Sequence, residues 1–263
     1  MPFEEKTKHT KASALPLVSI VTPSYNSASY IQETVASIRK QTHTNWEHII
    51  IDDCSNDQTP ELLKEIAKQD PRVTVIFLEK NSGSAVARNR GIEQAKGTYL
   101  TFIDSDDIWF PDFISNSIAT IRKTKIPFVY SSYRRSNEAL EFVYSDFIVP
   151  ETVTYTDILK SNSISCLTAF LHVESLGKKK MPLVRKRQDM GLWLQYLKEI
   201  PFAKGILEPK AIYRIRENSL SRNKKQLITS QWYFYRNIEK ISVVKSMYYM
   251  LCWMYYGFMK YRN

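Results

Sequence analysis

The chain has 263 residues, of which 43% are hydrophobic and 24% are charged, and this composition excludes wholesale disorder, a collagen and a disulfide scaffold. Its 37 Lys and Arg residues exceed its 27 Asp and Glu residues, which gives a net charge of +10. Residues 210–263 alone hold eleven of the bases and two of the acids, or +9, so we expect an anionic partner at the C-terminal end.

The N-terminus shows no export signal, and no apolar stretch reaches the roughly 18–20 residues that a membrane span requires. The nearest approach is the uncharged stretch of 14 residues from Ser246 to Met259. We therefore expect a cytoplasmic protein whose C-terminus could attach it peripherally to the inner face of the cytoplasmic membrane. Residues 1–14 are polar and charged for most of their length and are expected to be disordered.

Strand and helix patterns alternate through the first half of the chain. Short β-branched runs predict buried strands, and apolar residues at helical spacing predict helices between them. Strands and helices that alternate at this spacing favour an α/β fold with a mainly parallel, right-handed, doubly wound sheet. The predicted strands are 17–22, 46–51, 73–78 and 98–103, and the predicted helices are 31–40, 59–69 and 84–96.

After Pro111 the pattern is mixed. The predicted helices are 113–122, 157–160 and 189–199, and the predicted extended stretches are 128–133, 142–149, 164–172 and 211–215. From about Lys224 onward, the sequence predicts one or two basic helices that are rich in aromatic residues.

Acidic residues follow two of the predicted strands. Asp53 comes after the second strand, and Asp104 and Asp106 come after the fourth. Because ligands of an open parallel sheet bind beyond the carboxyl ends of its strands, these acids are candidate ligand-binding residues. An acid-x-acid turn suits a hard divalent cation that also binds phosphate oxygens. The alternative is that Asp104 and Asp107 only cap a turn or a helix, which is less expected when two neighbouring strand ends are acidic.

Glycine-rich phosphate loops are missing from the sequence. It has neither G-x-G-x-x-G after the first strand nor G-x-x-x-x-G-K-[ST], and only 7 glycines in all. This disfavours dehydrogenases and P-loop enzymes, and it favours a diphosphate that a metal bridges to the protein.

Four segments of the first half resemble family 2 glycosyltransferases, which have the GT-A fold. They follow the order and spacing of that family over residues 18–112. The segments are VSIVTPSYN at 18–26, IIDDCSNDQT at 50–59, GSAVARNRG at 83–91 and FIDSDD at 102–107.

The resemblance implies a nucleotide-sugar site on this half of the chain. Pro23 and Tyr25 match positions that pack against the nucleoside, and Asp53 matches the acid that binds the base. Arg88 is similar to a residue that helps to hold the nucleotide, although a purely local ion pair would also explain it.

The acid-x-acid turn is implied to hold the metal, Mn²⁺ or Mg²⁺. Asp104 resembles the acid on the ribose side, and Asp106 resembles the metal ligand, so both are candidate metal-binding residues. Asp107 is expected to cap the turn or the following helix.

The second half resembles the family in two further segments. In RKRQDMGLWL at 185–194, Asp189 matches the catalytic base, and Gln188 stands where many relatives have Glu. An inverting transfer needs such a carboxylate to take a proton from the acceptor hydroxyl. The alternative for Asp189 is an N-terminal helix cap.

In YRIRENSLS at 213–221, Arg214 and Arg216 match a loop that closes over the diphosphate, and the alternative is that both are surface charges.

Together these features predict an inverting, metal-dependent glycosyltransferase that adds a single sugar. We expect a UDP-sugar donor and a lipid-linked or surface glycan acceptor in bacterial polysaccharide biosynthesis, and no nucleic acid partner. The predicted units are a GT-A domain over residues 15–222, with a nucleotide-binding half (15–112) and an acceptor half (113–222), and a basic amphipathic helical region (223–263).

Two alternatives to the enzyme remain at this point. A basic nucleic-acid-binding module would explain the charge and the aromatic C-terminus but not the acidic strand ends. An inactive relative that serves as a scaffold would not need the acids that the family uses.

The C-terminal helix itself is expected to contact anionic lipid, because aromatics are interspersed along it and bases lie near its ends. Its alternative is packing on the catalytic domain or on a second subunit.

Overall fold

A computed structural model describes residues 15–142, 144–216 and 224–260. The predicted disorder of residues 1–14 lies outside this range. The strands are β1 (Val18–Ser24), β2 (Trp46–Asp52), β3 (Val73–Phe77), β4 (Tyr99–Phe102), β5 (Ile108–Trp109), β6 (Phe128–Ser136), β7 (Thr152–Val153), β8 (Phe170–His172) and β9 (Ala203–Arg214).

Helices connect and cover these strands. A 3-10 turn, Cys166–Thr168, precedes β8, and a π-helical turn, Phe234–Ile238, follows α8. The α-helices are α1 (Ile31–Arg39), α2 (Thr59–Gln69), α3 (Ser84–Gln94), α4 (Phe113–Thr124), α5 (Tyr155–Lys160), α6 (Val173–Leu176), α7 (Gln188–Leu197), α8 (Lys224–Tyr233) and α9 (Val243–Lys260).

One sheet runs through both halves of the described chain, in the order β3-β2-β1-β4-β8-β6-β9-β5, and β7 pairs with β9. The first four strands are parallel to one another. In the second half β6 and β9 are parallel, and the other pairs are antiparallel. The predicted α/β fold with its doubly wound N-terminal part is confirmed. The strand order reverses between β1 and β4, which opens a crevice at their carboxyl ends.

Hydrophobic residues cover both faces of the sheet, as the unbroken apolar runs of the parallel strands predict. On one face α1 buries Ile31, Val35 and Ile38, all at 2% exposure or less. On the other face Trp193 of α7 lies against Phe102, with ring centroids 6.1 Å apart. The core therefore joins the two halves into one packed unit.

The C-terminal segment packs with part of its surface against helices of the second half of the chain, chiefly α5. Phe234 and Tyr235 are buried, and the Tyr235 hydroxyl donates to the carbonyl of Leu159. Ser246 and Met250 of α9 are also buried. The predicted basic, aromatic helices are therefore present, and packing on the catalytic domain accounts for one face of α9. Within the described part of the chain, no helix has the length and apolar character needed to cross a membrane.

Three predictions for the second half are wrong in detail. Of the predicted extended stretch 164–172 only Phe170–His172 forms a strand, and Cys166–Thr168 is a 3-10 turn. The stretch 142–149 forms no strand in its described part, and Phe147 makes only an isolated bridge to Tyr133. The last strand begins at Ala203, eight residues before the predicted start at 211. Pro209, which disfavours a strand prediction, lies where the pairing of β9 with β6 shifts register.

Candidate functional site

The carboxyl ends of β1, β2 and β4 meet at the crevice between β1 and β4. Backbone hydrogen bonds join them: Asp53 N donates to the carbonyl of Ser24 at 2.8 Å, and Ile103 N donates to the carbonyl of Val21 at 3.1 Å. The residues after these strands therefore lie at one edge of the sheet, as the sequence predicts.

Asp53 is held by the backbone of the loop before α3. Its two carboxylate oxygens accept from Ser82 N and Gly83 N, each at 2.7 Å, and the residue is 4% exposed. Gly83 has φ of +89°, a left-handed conformation that glycine adopts without strain. Each carboxylate oxygen can accept more than one hydrogen bond, so the contact of Asp53 with a base stays a prediction.

Pro23 and Tyr25 lie at the end of β1, on the same edge. Tyr25 is 47% exposed, which leaves its ring accessible to a ligand, whereas Pro23 is half-buried. The next residue, Asn26, has φ of 48°, and its side-chain oxygen accepts from Asn56 N at 3.0 Å. This contact fixes the loop after β1 to the loop after β2.

Arg88 is buried beneath the acid-x-acid turn, where its Nη2 donates to Oδ1 of Asp104 at 2.5 Å. Gly91, one turn later in α3, lets the helix lie directly on Val21 of β1, because a Cβ there would collide with that side chain. Burial alone would lower the pKa of Arg88, but the carboxylates of Asp104 and of the more distant Asp189 raise this pKa above its usual value. The local ion pair that the sequence left open is therefore present.

Gln188 joins this cluster from the first residue of α7. With its amide oriented to satisfy both ends, its oxygen accepts from Arg88 Nη1 at 2.9 Å and from the Ser84 hydroxyl at 2.5 Å. Its nitrogen donates to the carbonyl of Val184 at 2.9 Å. Gln188 therefore takes the place of the acid found in many relatives and binds Arg88 as a neutral acceptor.

Asp106 faces a different arginine. Nε of Arg216 lies 2.8 Å from Oδ2 of Asp106, and the Arg216 guanidinium also lies 5.6 Å from the centre of the Tyr30 ring. Burial and the neighbouring Asp104 carboxylate raise the pKa of Asp106, and Arg216 opposes that shift. The crevice therefore crowds two carboxylates together and draws cations toward them.

Arg214 is bound inside the protein. Its guanidinium donates to the Glu33 carboxylate and, at 3.0 Å, to the carbonyl of Glu138, and it lies 4.8 Å from the Tyr30 ring centre. The residue is 5% exposed. The structure thus gives Arg214 protein partners where the sequence predicts a diphosphate contact.

Asp107 does not cap the following helix. It is 1% exposed, and its Oδ1 accepts from Arg214 N at 3.0 Å, at the end of β9. The residue that precedes α4 is Asp112. Burial and the nearby Asp106 and Asp104 raise the pKa of Asp107 well above its usual value. This acid therefore connects the last strand of the sheet to the acid-x-acid turn, a contact that local sequence does not reveal.

Asp189 reaches the same crevice from the second half of the chain. It lies in the first turn of α7 but is not its N-cap, which is Arg187, so the capping alternative does not explain it. Its Oδ2 accepts from Asn162 Nδ2 at 3.3 Å. Gln188, the residue before it, accepts from Arg88, which also donates to Asp104, so Asp189 lies beside the Asp104 cluster.

Asp104 and Asp106 fit a divalent cation that is shared with a substrate. Across the described ranges, no cluster of three or more His, Cys, Asp or Glu side chains could hold a metal without other ligands. Mg²⁺ commonly uses one or two carboxylates together with waters and substrate phosphates. The two crowded carboxylates, each now paired with an arginine, match that donor set.

Sequence reasoning missed three side chains of the site: Tyr30, Glu33 and Asn162. Tyr30 and Glu33 open α1 directly after β1, so the rule that ligands bind at carboxyl strand ends could have indicated them. Asn162 follows α5 and carries no local pattern that predicts its contact with Asp189.

Comparisons with known proteins agree with this geometry. Residues 19–173 match the glycosyl transferase family 2 profile. The chain is 41% identical over 231 residues to TuaG of Bacillus subtilis strain 168, a protein named for teichuronic acid biosynthesis and glycosyltransferase activity. That match covers 88% of this chain and 92% of TuaG. The chain is also 35% identical over 219 residues to the Escherichia coli UDP-Glc:alpha-D-GlcNAc-diphosphoundecaprenol beta-1,3-glucosyltransferase WfgD. That match covers 82% of this chain and 84% of WfgD.

Solved structures share the fold. S. aureus TarS 1-349 in complex with UDP-GlcNAc superposes with a TM-score of 0.67 and 19% identity, over 90% of this chain and 71% of that chain. The match covers 42% of a longer TarS chain. The mannosyltransferase PcManGT from Pyrobaculum calidifontis, in complex with GDP-Man and Mn²⁺, gives a TM-score of 0.58 and 19% identity, over 84% of this chain and 62% of that chain. The protein is therefore a glycosyltransferase with the GT-A fold and belongs to glycosyl transferase family 2.

Proposed function

We propose that this protein is an inverting, metal-dependent glycosyltransferase that moves one sugar from a UDP-sugar to a hydroxyl of a lipid-linked or surface glycan. The observation that carries the proposal is the meeting of three acids at one crevice. Asp104 and Asp106 come from the end of β4, and Asp189 comes from α7, whose first residue, Gln188, shares Arg88 with Asp104. A diphosphate site thus lies beside a candidate base.

The donor would occupy the crevice between β1 and β4. Tyr25 offers an exposed ring to the nucleoside, and Asp53, fixed by two backbone amides, offers carboxylate oxygens to the base. Arg88 holds Asp104 in place from below, and Arg216 lies beside Asp106 where a negative diphosphate would arrive. The UDP-GlcNAc complex of TarS and the UDP-Glc in the name of WfgD support a UDP-sugar.

Asp104 and Asp106 would hold Mn²⁺ or Mg²⁺. When bound, the cation would neutralise the charge that develops on the leaving diphosphate. Arg216 can give the same electrostatic help once its contact with Asp106 is exchanged for the diphosphate. The Mn²⁺ in the PcManGT complex supports this choice of metal.

Asp189 would take the proton from the acceptor hydroxyl as its oxygen attacks the anomeric carbon, opposite the leaving diphosphate. Asn162 donates to its Oδ2 and so restricts the orientation of the carboxylate. A base that activates the acceptor hydroxyl for one direct displacement corresponds to inversion at the anomeric carbon.

The acceptor side favours a lipid-linked glycan. TuaG is named for teichuronic acid biosynthesis and WfgD for transfer to a diphosphoundecaprenol-linked sugar. Four residues at helical spacing form the α9 outer face, which is exposed. They are Val244, Tyr248, Leu251 and Tyr255, with exposed fractions of 78%, 53%, 63% and 61%. We propose that this α9 outer face lies on the anionic cytoplasmic surface of the membrane.

Vesicle co-sedimentation tests the membrane contact. The double variant V244S/L251S should bind anionic vesicles several-fold more weakly than wild type, because both side chains would insert below the headgroups. The matched double variant Y144S/I148S removes exposed apolar side chains of the acceptor half and should bind like wild type. Equal binding by all three proteins would contradict the membrane role of α9.

The two alternative functions, a nucleic-acid-binding module and an inactive scaffold, have less support from the residues of the crevice. A nucleic-acid-binding module would place phosphates against the carboxylates of Asp104 and Asp106, which repel them unless a metal is present. An inactive scaffold would not need Asp189 or its partner Asn162.

Calorimetry with UDP tests the proposal directly. Wild type should bind UDP with Mn²⁺ and lose most of that affinity in chelator, and D106N should bind at least tenfold more weakly with Mn²⁺, because one carboxylate ligand is lost. The surface variant D146N, which removes only the exposed partner of Arg134, should bind like wild type. Metal-independent binding, or no UDP binding by wild type, would overturn the proposed donor site.

A further inference from the structure

Two arginines pair with the two carboxylates of the acid-x-acid turn, and they are held in different ways. Arg88 lies beneath the turn with a side chain that is 7% exposed, and it is bound to both Asp104 and Gln188. Arg216, which pairs with Asp106, has a side chain that is 43% exposed. Arg88 is therefore a fixed part of the turn, whereas Arg216 has room to leave its carboxylate.

The surroundings of Arg216 keep it at the crevice when that contact opens. Ile215 N donates to the carbonyl of Ser136 at 2.9 Å, which holds the backbone at the sheet as far as the preceding residue. The Arg216 guanidinium lies 5.6 Å from the centre of the Tyr30 ring, which the buried Arg214 also contacts at 4.8 Å. A guanidinium can shift across an aromatic face and keep its attraction to the ring. Arg216 can therefore move within the site.

Arg216 and a divalent cation need the same oxygen atoms. Nε of Arg216 lies 2.8 Å from Oδ2 of Asp106, the carboxylate that is the candidate metal ligand. Two positive charges at one carboxylate repel each other, so the arginine lowers the affinity of Asp106 for a cation that arrives alone. A diphosphate changes this balance, because its oxygens offer the guanidinium a charge-assisted partner in place of Asp106.

We propose that Arg216 is a displaceable counterion that couples metal binding to diphosphate binding. In the empty site Arg216 neutralises Asp106 and disfavours a cation without nucleotide. When a nucleotide diphosphate is present, Arg216 turns to the diphosphate and leaves Asp106 to the cation. This inference rests on the proposed donor site and adds to it a residue that controls how the site fills.

Mn²⁺ binding without nucleotide, measured from the paramagnetic resonance of the free ion, tests the proposal. R216Q should bind Mn²⁺ alone about fivefold more tightly than wild type, because the competing charge is removed. The same variant should bind UDP at saturating Mn²⁺ about tenfold more weakly in calorimetry, because a charge-assisted contact is lost. The two affinities therefore change in opposite directions.

Other roles of Arg216 give other results. An arginine that serves only the fold would weaken the binding of both ligands when it is replaced. An arginine that contacts only the diphosphate would leave the affinity for Mn²⁺ alone unchanged. Either result for R216Q would overturn the proposal.

Arg134 provides the matched control. Its side chain is 47% exposed, its Nε lies 3.8 Å from the Asp146 carboxylate, and its guanidinium lies 5.2 Å from the centre of the Phe142 ring. R134Q thus removes an arginine with the same kinds of partner and leaves the pair of Arg216 with Asp106 in place. It should bind Mn²⁺ and UDP like wild type. An equal gain in Mn²⁺ affinity for R134Q and R216Q would show an effect of net charge alone and overturn the proposal.

The gain must also depend on Asp106. In a D106N background, R216Q should no longer raise the affinity for Mn²⁺, because the carboxylate for which the two cations compete is missing. A gain of the same size in that background would contradict the competition.

UDP binding by wild type separates the two proposals. If wild type binds UDP with Mn²⁺ and R216Q gains no affinity for Mn²⁺ alone, the counterion inference fails and the donor site stands. If wild type binds no UDP with Mn²⁺, both fail.

Discussion

The two halves of the sheet hold their charged side chains in different ways. In the first half Asp53 accepts two backbone amides from Ser82 and Gly83, so the loop geometry itself fixes the carboxylate. In the second half the charges are carried by long side chains, such as Arg216, which reaches Asp106 from the chain after β9. A ligand common to a whole family can be bound by rigid backbone loops, whereas ligands that differ between members are met by side chains on irregular segments.

Arg88 and Gln188 connect the two halves. Arg88 contacts Asp104 of the donor crevice with one guanidinium nitrogen and Gln188 of α7 with another. The position of the candidate base Asp189 is thereby linked to the acid-x-acid turn. The contrast between the halves therefore predicts that donor binding and catalysis can be damaged separately, except at this connection.

The largest expected effect is on Asp189. D189N should lower kcat by about 10²- to 10⁴-fold, because the group that accepts the hydroxyl proton is lost, and should leave the affinity for UDP unchanged. Steady-state kinetics with UDP calorimetry measures both. E199Q, which changes a surface acid just after α7, is the matched control. A parallel loss of UDP affinity in D189N would contradict the prediction that donor binding and catalysis can be damaged separately.

The next effect concerns the backbone-held acid of the first half. D53A should lower the free energy of unfolding by about 3 kcal/mol, because two partly buried amides lose a charged acceptor, and should also weaken UDP binding. Urea denaturation and calorimetry check this. E79A, in the same half and exposed, should change neither quantity. A D53A variant as stable as wild type would mean that the loop does not depend on this carboxylate.

The buried core of the first half predicts a pH dependence. His48 of β2 lies 2.8 Å from the Thr22 hydroxyl, and burial lowers its pKa from 6.5 to about 3. Below pH 6.5 the unfolded chain therefore binds a proton at His48 that the folded chain does not bind. The free energy of unfolding then falls as the pH drops from 6.5 toward 3, by about 1.4 kcal/mol per pH unit.

Urea titrations across this range test the assignment to His48. H48Q, which keeps a partner for Thr22 but cannot titrate, should remove about that slope, and H172Q should keep it. An unchanged slope in H48Q would assign the acid sensitivity to other groups.

The smallest effect is expected at the connection between the halves. Q188L should lower kcat about tenfold, because Arg88 loses an acceptor and α7 loses its tie to the Asp104 cluster. Q188E should retain activity, because a carboxylate can accept from Arg88 in the same place. The kcat values of the two variants test this, and circular dichroism confirms that both fold. Equal losses in Q188L and Q188E would show that Gln188 does not act through Arg88.

Much of the first half was predictable because its signals are local. Apolar periodicity determines which residues face the sheet, and the residues just after each strand determine what lies at the crevice. Asp53, Asp104 and Asp106 could be located in this way. In the second half periodicity predicted α7, and the resemblance to the family indicated Asp189. Periodicity missed the two-residue strands β5 and β7, because so short a run carries no period.

Local patterns were enough to predict the α/β class, the parallel strands of the first half and the acids at their ends, because a strand, its turn and the next helix span only a few tens of residues. Which charges pair depends on the packing of the whole chain. Arg214 meets Glu33 across 181 residues, and Arg88 meets Gln188 across 100. Such contacts depend on how the whole sheet packs, and no local pattern of residues encodes that arrangement.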